Sequence, residues 1–283
     1  MIKTVQQALA ESGSLKPVSE SHVLETELLL SHVLDKTREY LRAHTEEEIS
    51  DDHYQQFQFM LQRRQQGEPV AYILGHREFW DFDLKVNESV LIPRAETEVL
   101  VEKCLARLEG LGSSLRIADL GTGSGAIAIA IARTNPGWQV DAVDISEDAL
   151  SVARGNATAL GVNNIEFHLG SWCDGLPEAH YDLIVANPPY VEPGDKHLAE
   201  GDLPFEPSIA LVADDHGFAA FNSITAAAPA YLKKDAWLLY EHGYNQQSQL
   251  IDTLVASAFD KVAGYQDYAG VDRIVEAMWT GNS

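Results

Sequence analysis

A strand-like run, Ile117-Ala118-Asp119-Leu120, passes straight into Gly121-Thr122-Gly123-Ser124-Gly125 and then into an apolar helical stretch beginning at Ala126. A strand that turns on glycines into a helix opens a βαβ unit, because glycine permits the tight turn and the close packing of helix on strand. The alternation continues from Leu115 onward. It predicts strands at Leu115–Leu120, Gln139–Asp144, Ile165–Leu169, Asp182–Ala186 and Ala236–Glu241, and two more near Lys261–Asp267 and Arg273–Met278. It predicts helices over Glu96–Leu108, Gly125–Thr134, Ser146–Ala159, Gly217–Leu232 and Gln246–Phe259. Strands alternating with helices give an α/β fold with a largely parallel, doubly wound sheet. The last two strands have no helix between them, so an antiparallel hairpin should end the sheet.

The amino-terminal part reads differently. Residues 1–75 show helical spacing: Leu24, Leu28, Leu29, Val33 and Leu34 follow Ser19-Glu20-Ser21, and Tyr54, Phe57, Met60 and Leu61 form a second stripe that stops near Gly67. No glycine-rich loop or ligand cluster falls there, so a small α-helical bundle is expected, a binding or positioning module rather than a reaction centre. Over residues 76–93, Phe79, Trp80, Phe82, Leu84 and Val86 partly alternate, and Asn87-Glu88-Ser89 precede Val90-Leu91-Ile92-Pro93. This pattern predicts a β-hairpin linker turning at Asn87–Ser89. Residues 94–283 then form the catalytic domain. With 45% of its 283 residues apolar, the chain can bury a proper core.

The glycine turn implies a ligand but leaves its kind open. Its N–H groups lie at a helix amino end, a ready site for a polar ligand. With Ala126 it satisfies the dinucleotide pattern of Gly-x-Gly-x-x-Gly/Ala. Asp119 favours S-adenosylmethionine, since a carboxylate there can hold a cationic amino end and would repel a pyrophosphate. A plain strand–helix turn is the third reading. Asp144 ends the second strand, where a carboxylate can accept hydrogen bonds from both ribose hydroxyls. The alternative for Asp144 is an acid at a helix start, with Glu147 and Asp148 behind it.

The buried-strand pattern Tyr181-Asp182-Leu183-Ile184-Val185-Ala186 runs into Asn187-Pro188-Pro189-Tyr190. Each proline fixes φ near about −65° and keeps the residue before it extended. Asn187 is thereby held at a strand's carboxyl end, where open α/β sheets bind ligands. Its side-chain oxygen can accept one N–H of a planar substrate nitrogen and the Pro188 carbonyl the other, while Tyr190 stacks on the flat group. An amide nitrogen is a weak nucleophile because its lone pair is delocalised. Two acceptors on its hydrogens raise its electron density and aim it at a sulfonium methyl. The reaction predicted is N-methylation of a planar amide or amine by Asn187, Pro188 and Tyr190, with Pro189 completing the grip. An ordinary Pro-rich turn is the competing reading.

Together these residues resemble a class I amino-methyltransferase. Three further stretches, Arg77-Glu78-Phe79-Trp80, Leu91-Ile92-Pro93-Arg94 with Thr97-Glu98, and Phe205-Glu206-Pro207, make nearly the whole chain similar to the release-factor glutamine N5-methyltransferases, the HemK type. The resemblance implies a class I methyltransferase, Rossmann-like doubly wound sheet with an antiparallel last strand, plus the amino-terminal helical bundle. It implies that the helical module of residues 1–75 docks the protein substrate, and it implies S-adenosyl-L-methionine over Gly121, Thr122, Gly123, Ser124 and Gly125, with Asp144 on the ribose, Trp172 beside the adenine and Asn187 near the donor. Asn187 to Tyr190 would grip the glutamine in the Gly-Gly-Gln loop of class I peptide-chain release factors. Four positions depart from the family's usual residues. Ser171 stands where an acid often contacts the adenine amino group, Cys173 replaces a common aromatic, and Ala95-Glu96 replaces Pro-Asp.

The remaining features narrow the class. A net charge of −23 repels a phosphate backbone, so stable nucleic-acid binding is not expected. That weighs against the alternative reaction of the same turn, methylation of an exocyclic base amine in DNA or RNA. Cys104 and Cys173 lack metal-type spacing and suit a reducing cytoplasm. The start, Met1-Ile2-Lys3-Thr4-Val5, lacks a signal-peptide core, and no apolar run approaches the roughly 20 residues of a membrane span. His76, His168, His197 and His242 show no metal-ligand spacing and read as surface or satisfied polar groups, so no metal is expected. Arg94 and Glu98 read as the donor-pocket border or as a helix start, and Glu241-His242-Gly243, ending a strand, as a turn or as a lining of the site. A monomeric cytoplasmic enzyme is expected.

Overall fold

The computed structural model describes residues 3–178 and 180–281. Met1 and Ile2, part of the chain start and helical module read above, lie outside the described residues. So do Ala179 and, at the end of the expected catalytic domain, Asn282 and Ser283. Contacts divide the chain into two compact units, Met1–His76 with Lys196–Phe205, and Arg77–Asp195 with Glu206–Ser283.

The first unit contains α1 (Val5–Leu9), α2 (His22–Leu34), α3 (Arg38–Ala43), α4 (Asp51–Gln65) and α5 (Val70–Leu74). Two short strands, β1 (Lys3–Thr4) and β2 (Glu48–Ile49), pair antiparallel. Thr4, Thr37 and Ser50 start helices by accepting free N–H groups of the first turns of α1, α3 and α4. The core centres on Leu29, Leu30, Leu41 and Phe57. Leu24, placed on the predicted stripe, is exposed, and Thr26 and Glu27 take the inner face of α2 instead. Glu27 tolerates burial because Arg42 and Arg38 donate to its carboxylate, at 2.7 and 2.9 Å, and hold its pKa below the ordinary value. Residues 196–205 join this unit without any signal in the sequence pattern. Asp202 accepts from the buried Arg64 at 3.1 Å, and Phe205 packs so closely on Gly67 that a Cβ there would lie 3.0 Å from the ring.

The second unit follows a hairpin of β3 (His76–Phe79) and β4 (Phe82–Lys85), which turns at Trp80-Asp81 rather than at Asn87–Ser89. Asn87 does make a turn, accepting the Ser89 N–H on its side chain at 3.0 Å, but Val90 to Pro93 pair with no strand. They lead instead to α6 (Glu96–Leu108). The sheet is built from β5 (Arg116–Leu120), β6 (Gln139–Asp144), β7 (Ile165–Leu169), β8 (Tyr181–Ala186), β9 (Leu232–Glu241), β10 (Asp260–Gln266) and β11 (Asp272–Trp279). The connecting helices are α7 (Ala126–Thr134), α8 (Glu147–Ala159), α9 (Asp214–Gly217), α10 (Ala219–Ala227) and α11 (Gln247–Ala256). Helix α7 is buried on every side from Ala126 to Ala132, as its unbroken apolar sequence requires. The predicted helix over Gly217–Leu232 is cut short near Pro229, whose missing N–H and ring end the α-helical ladder.

The strand order is β10–β11–β9–β8–β5–β6–β7, with β5 to β9 parallel and β11 antiparallel to both neighbours. The expected α/β sheet with an antiparallel terminal hairpin is the one observed. Its order reverses at β5, the place where doubly wound sheets open a crevice. Register decides what lines that crevice. Leu120 pairs with Val143 and Ala186, and Ala186 with Tyr240. The next residue on each strand is therefore Gly121, Asp144, Asn187 and Glu241, and these four leave the sheet side by side.

Candidate active site

Three of these strand ends, Gly121, Asp144 and Asn187, line a cavity of about 360 Å³, within the range of small-molecule sites. Gly121, Thr122, Gly123 and Ser124 line it from the β5 turn, Asp144 from β6, Trp172 from the segment after β7, and Asn187 and Pro189 from β8. Arg94 and Thr97 line it from the entry to α6. One further wall, from Ile209 to Asp214, carries no sequence motif. It is held by main-chain bonds on either side of Val191: its N–H donates to Leu211 at 2.9 Å, and its carbonyl accepts from Ala213 at 3.0 Å.

The glycine turn is anchored to β6, because Gly121 and Thr122 both donate to the Val143 carbonyl, at 2.8 and 3.0 Å. Gly121 has φ +77°, and a Cβ there would lie 3.1 Å from the Trp172 ring. The ring can close on the turn only because position 121 carries no side chain. Gly125 is off the wall; a Cβ there would meet Ile129 and Ala153 at 3.1 and 3.2 Å, so it serves the packing of α7 on α8. Asp144 accepts Gly123 N–H on one oxygen and Ser146 N–H on the other, both at 2.9 Å. Each oxygen keeps a lone pair for a ligand on the cavity wall. The cap of α8 is Ser146, which accepts from Ala149 at 3.2 Å, so Asp144 is not spent on the helix start.

Besides Gly125, three sequence-predicted residues stand back from the wall. Asp119 is fully buried; its Oδ2 accepts the Thr122 hydroxyl at 2.7 Å and the Ala128 N–H at 3.1 Å. Burial pushes its carboxyl up to about 7, and its Oδ1 has no hydrogen-bond partner. Its side chain thus braces the turn into α7 rather than facing the cavity. Pro188 is buried, and Tyr190 packs against the core layer that holds Phe221 and Tyr240. Burial raises the Tyr190 phenol above its ordinary pKa.

Asn187 is part of a chain of hydrogen bonds. Its Nδ2 donates to Thr97 Oγ1 at 3.2 Å, and the Thr97 hydroxyl donates to Glu241 Oε2 at 2.7 Å. Glu241 is 1% exposed, and burial above all pushes its carboxyl up to about 7. The sequence reading placed Glu241 at a strand end, as a turn residue or a lining of the site; the signal that separates the two is its register with β8. Arg94 donates to the buried Glu206 at 2.5 Å, while Glu98 leaves the wall to accept the Trp80 N–H at 2.8 Å.

Two other polar groups differ from the sequence expectation or extend it. His242 is fully buried, with Nδ1 on the Gly243 carbonyl at 2.8 Å and Nε2 without a hydrogen-bond partner, so it is neither a surface nor a fully satisfied group. Asp141, Glu166 and His168 bring their ligand atoms within 4.8 Å. Both Asp141 oxygens are already engaged, by Arg116 at 2.7 Å, His168 at 2.8 Å and Tyr181 at 3.1 Å. No helix among the described residues is long and apolar enough to cross a membrane.

Known proteins match this chain along its length. The PrmC N-terminal domain family matches residues 1–75, and the methyltransferase small domain family matches residues 95–202. The release factor glutamine methyltransferase of Aliivibrio fischeri is 44% identical over 280 residues, 99% of this chain and 96% of that protein. The enzyme of the same name from Coxiella burnetii is 43% identical over 94% of this chain and 95% of its own. Among solved structures, a methyltransferase from Pyrococcus furiosus shares the fold with a TM-score of 0.54 and 16% identity, over 72% of this chain and 91% of that one. At that identity the likeness speaks for the fold alone. With relatives of this similarity covering almost every residue, the chain belongs to the release factor glutamine methyltransferase family.

Proposed function

We propose that this enzyme methylates the side-chain amide nitrogen of the glutamine in the Gly-Gly-Gln motif of a class I peptide-chain release factor, using S-adenosyl-L-methionine. The reading rests on one observation above all. Asn187 sits on the same cavity wall as the glycine turn, with its amide nitrogen already committed to Thr97.

The cavity fits the donor. Asp144 has lone pairs free for ribose hydroxyls, Trp172 beside Gly121 offers a flat apolar face for an adenine, and the N–H-rich turn from Gly121 to Ser124 suits the methionine end. When bound, the donor supplies an electrophilic methyl on a sulfonium. The chain's own part is to hold the acceptor. Asn187 Oδ1 and the Pro188 carbonyl take the two N–H groups of the glutamine amide, and Pro189 lines the slot with Tyr190 packed behind it. Orientation and stabilisation of the charge developing on nitrogen then supply the acceleration. Asp119 acts through Thr122 and Ala128, by bracing the donor turn. The helical unit docks the release factor in the cytoplasm, and the −23 charge suits a protein partner better than a phosphate backbone.

The test is mass spectrometry after incubation with labelled donor and, in parallel, a release factor, a DNA duplex and a structured RNA. One added methyl on the Gly-Gly-Gln peptide alone is the expected result. Methyl found on a base amine and absent from the release factor would overturn the substrate assignment.

A further inference from the structure

We propose that Thr97 and Glu241 are positioning residues that decide which end of the Asn187 amide meets the substrate; the inference rests on the function proposed above. An asparagine amide can present either its oxygen or its NH2 to a cavity, and the two ends are nearly alike in shape. The reaction needs the oxygen, because the substrate amide offers hydrogens. Nothing in Asn187 or its prolines selects between the two; the neighbours must.

The selection follows from counting protons. An ionised carboxylate accepts and cannot donate. Glu241 lies one hydrogen bond from Thr97, at 2.7 Å, so in its ionised form it holds the single Thr97 hydroxyl proton. The Thr97 oxygen then has only lone pairs to offer. It can be partnered by Asn187 solely through Nδ2–H, the contact seen at 3.2 Å. Two neighbours on two elements, the first turn of α6 and the end of β9, therefore turn Nδ2 inward and leave Oδ1 for the cavity. The strand register that aligns Asn187 with Glu241 is what makes this arrangement possible.

Glu241→Gln tests the polarity with hardly any change in shape. A glutamine at 241 can donate to Thr97, which frees the Thr97 proton for Asn187 Oδ1 and turns NH2 toward the substrate. Turnover on a release factor, read with tritiated S-adenosyl-L-methionine, should fall about a hundredfold, as for other misdirected preorganised groups. Donor affinity, read by calorimetry with S-adenosyl-L-homocysteine, should stay unchanged. Thr97→Ser keeps the hydroxyl and should keep kcat within about threefold, while Thr97→Val should lose at least about tenfold in kcat with little change in donor affinity. A Glu241→Gln variant with wild-type kcat overturns the assignment. Should that variant not fold, equal kcat in Thr97→Ser and Thr97→Val overturns it as well. A wild type that transfers no methyl to the release factor removes the functional reading, and this assignment with it. A wild type that transfers while the variants behave alike removes only the assignment.

Discussion

The turns after β5 and β8 leave adjacent parallel strands at paired residues, Leu120 and Ala186, yet they are shaped by opposite means. After β5 every second residue lacks a side chain. Gly121, Gly123 and Gly125 all take positive φ, and the backbone itself becomes the wall. After β8 two successive prolines remove freedom instead, and one polar side chain is left fixed at the cavity. The first turn creates space and N–H groups, which is what a donor molecule needs. The second fixes a direction, which is what a weak nucleophile needs. Damage to the two should therefore show in different measurements: affinity for the donor at the first, turnover at the second.

The sharpest break between them is Asn187→Ala. It removes the acceptor oxygen and leaves the glycine turn and Asp144 untouched, so turnover should drop about a hundredfold or more at unchanged donor affinity. Single-turnover kinetics beside a donor titration separates the two. A parallel loss of donor affinity would mean that the β8 turn also carries the donor, and the division of labour would be gone.

Asp144→Ala attacks the other side. The carboxylate organises Gly123 and Ser146 and keeps a lone pair on each oxygen for a ligand. Charge-assisted hydrogen bonds of this kind contribute about 1.5–3 kcal/mol, so the donor Kd should rise roughly 10–100-fold while kcat at saturating donor changes little. An unchanged Kd would remove Asp144 from the ribose.

The Asn187 network adds a pH dependence with a definite sign. Burial pushes the Glu241 carboxyl up to about 7, with Arg273, Glu96 and Tyr190 as its charged or titratable neighbours. Only its ionised form commits the Thr97 proton. Turnover should therefore fall roughly tenfold between about pH 8 and about pH 6. Stability moves the other way. Glu241 and Asp119 both have folded-state values raised to about 7 by burial. Each contributes stability that is fully present below the ordinary carboxylate range and is lost as pH rises through about 7. Melting curves and turnover measured over the same buffers should thus diverge, and a turnover profile flat across that window would detach Glu241 from Asn187.

The asymmetry between the turns also explains what could be read from the sequence. Both motifs are local: glycines and prolines constrain their own backbone, so their place after buried apolar strands was visible, as were β5 to β8 to within a residue at each end. Strand β9 begins at Leu232, before the predicted Ala236, because its first residues Leu232-Lys233-Lys234-Asp235 carry no strand pattern and Asp235 takes φ +64°. The supporting residues were hidden for another reason. Thr97, Glu241 and Glu206 acquire their roles from register and from contacts over a hundred residues apart in sequence, which no local periodicity records. Asp119 shows the converse. Its position before the glycines suggested a ligand contact, whereas its side chain turns inward to Thr122 and Ala128.

Glycine replacements give the finest test of the first turn. Gly121→Ala and Gly123→Ala share one cost, a side chain at positive φ, of about 1–2 kcal/mol each. They differ in what the new methyl meets. At 123 nothing lies within 4 Å, whereas at 121 the Trp172 ring is 3.1 Å away. Both variants should melt lower by a similar amount, but only Gly121→Ala must also push the ring aside. Its donor affinity should be weaker than that of Gly123→Ala by a few-fold, on the scale of about 1 kcal/mol for one displaced contact, with kcat at saturating donor unaffected in both. Equal donor affinity in the two variants would mean that Trp172 does not contact the bound donor, and the β5 turn would then owe its shape to the backbone alone.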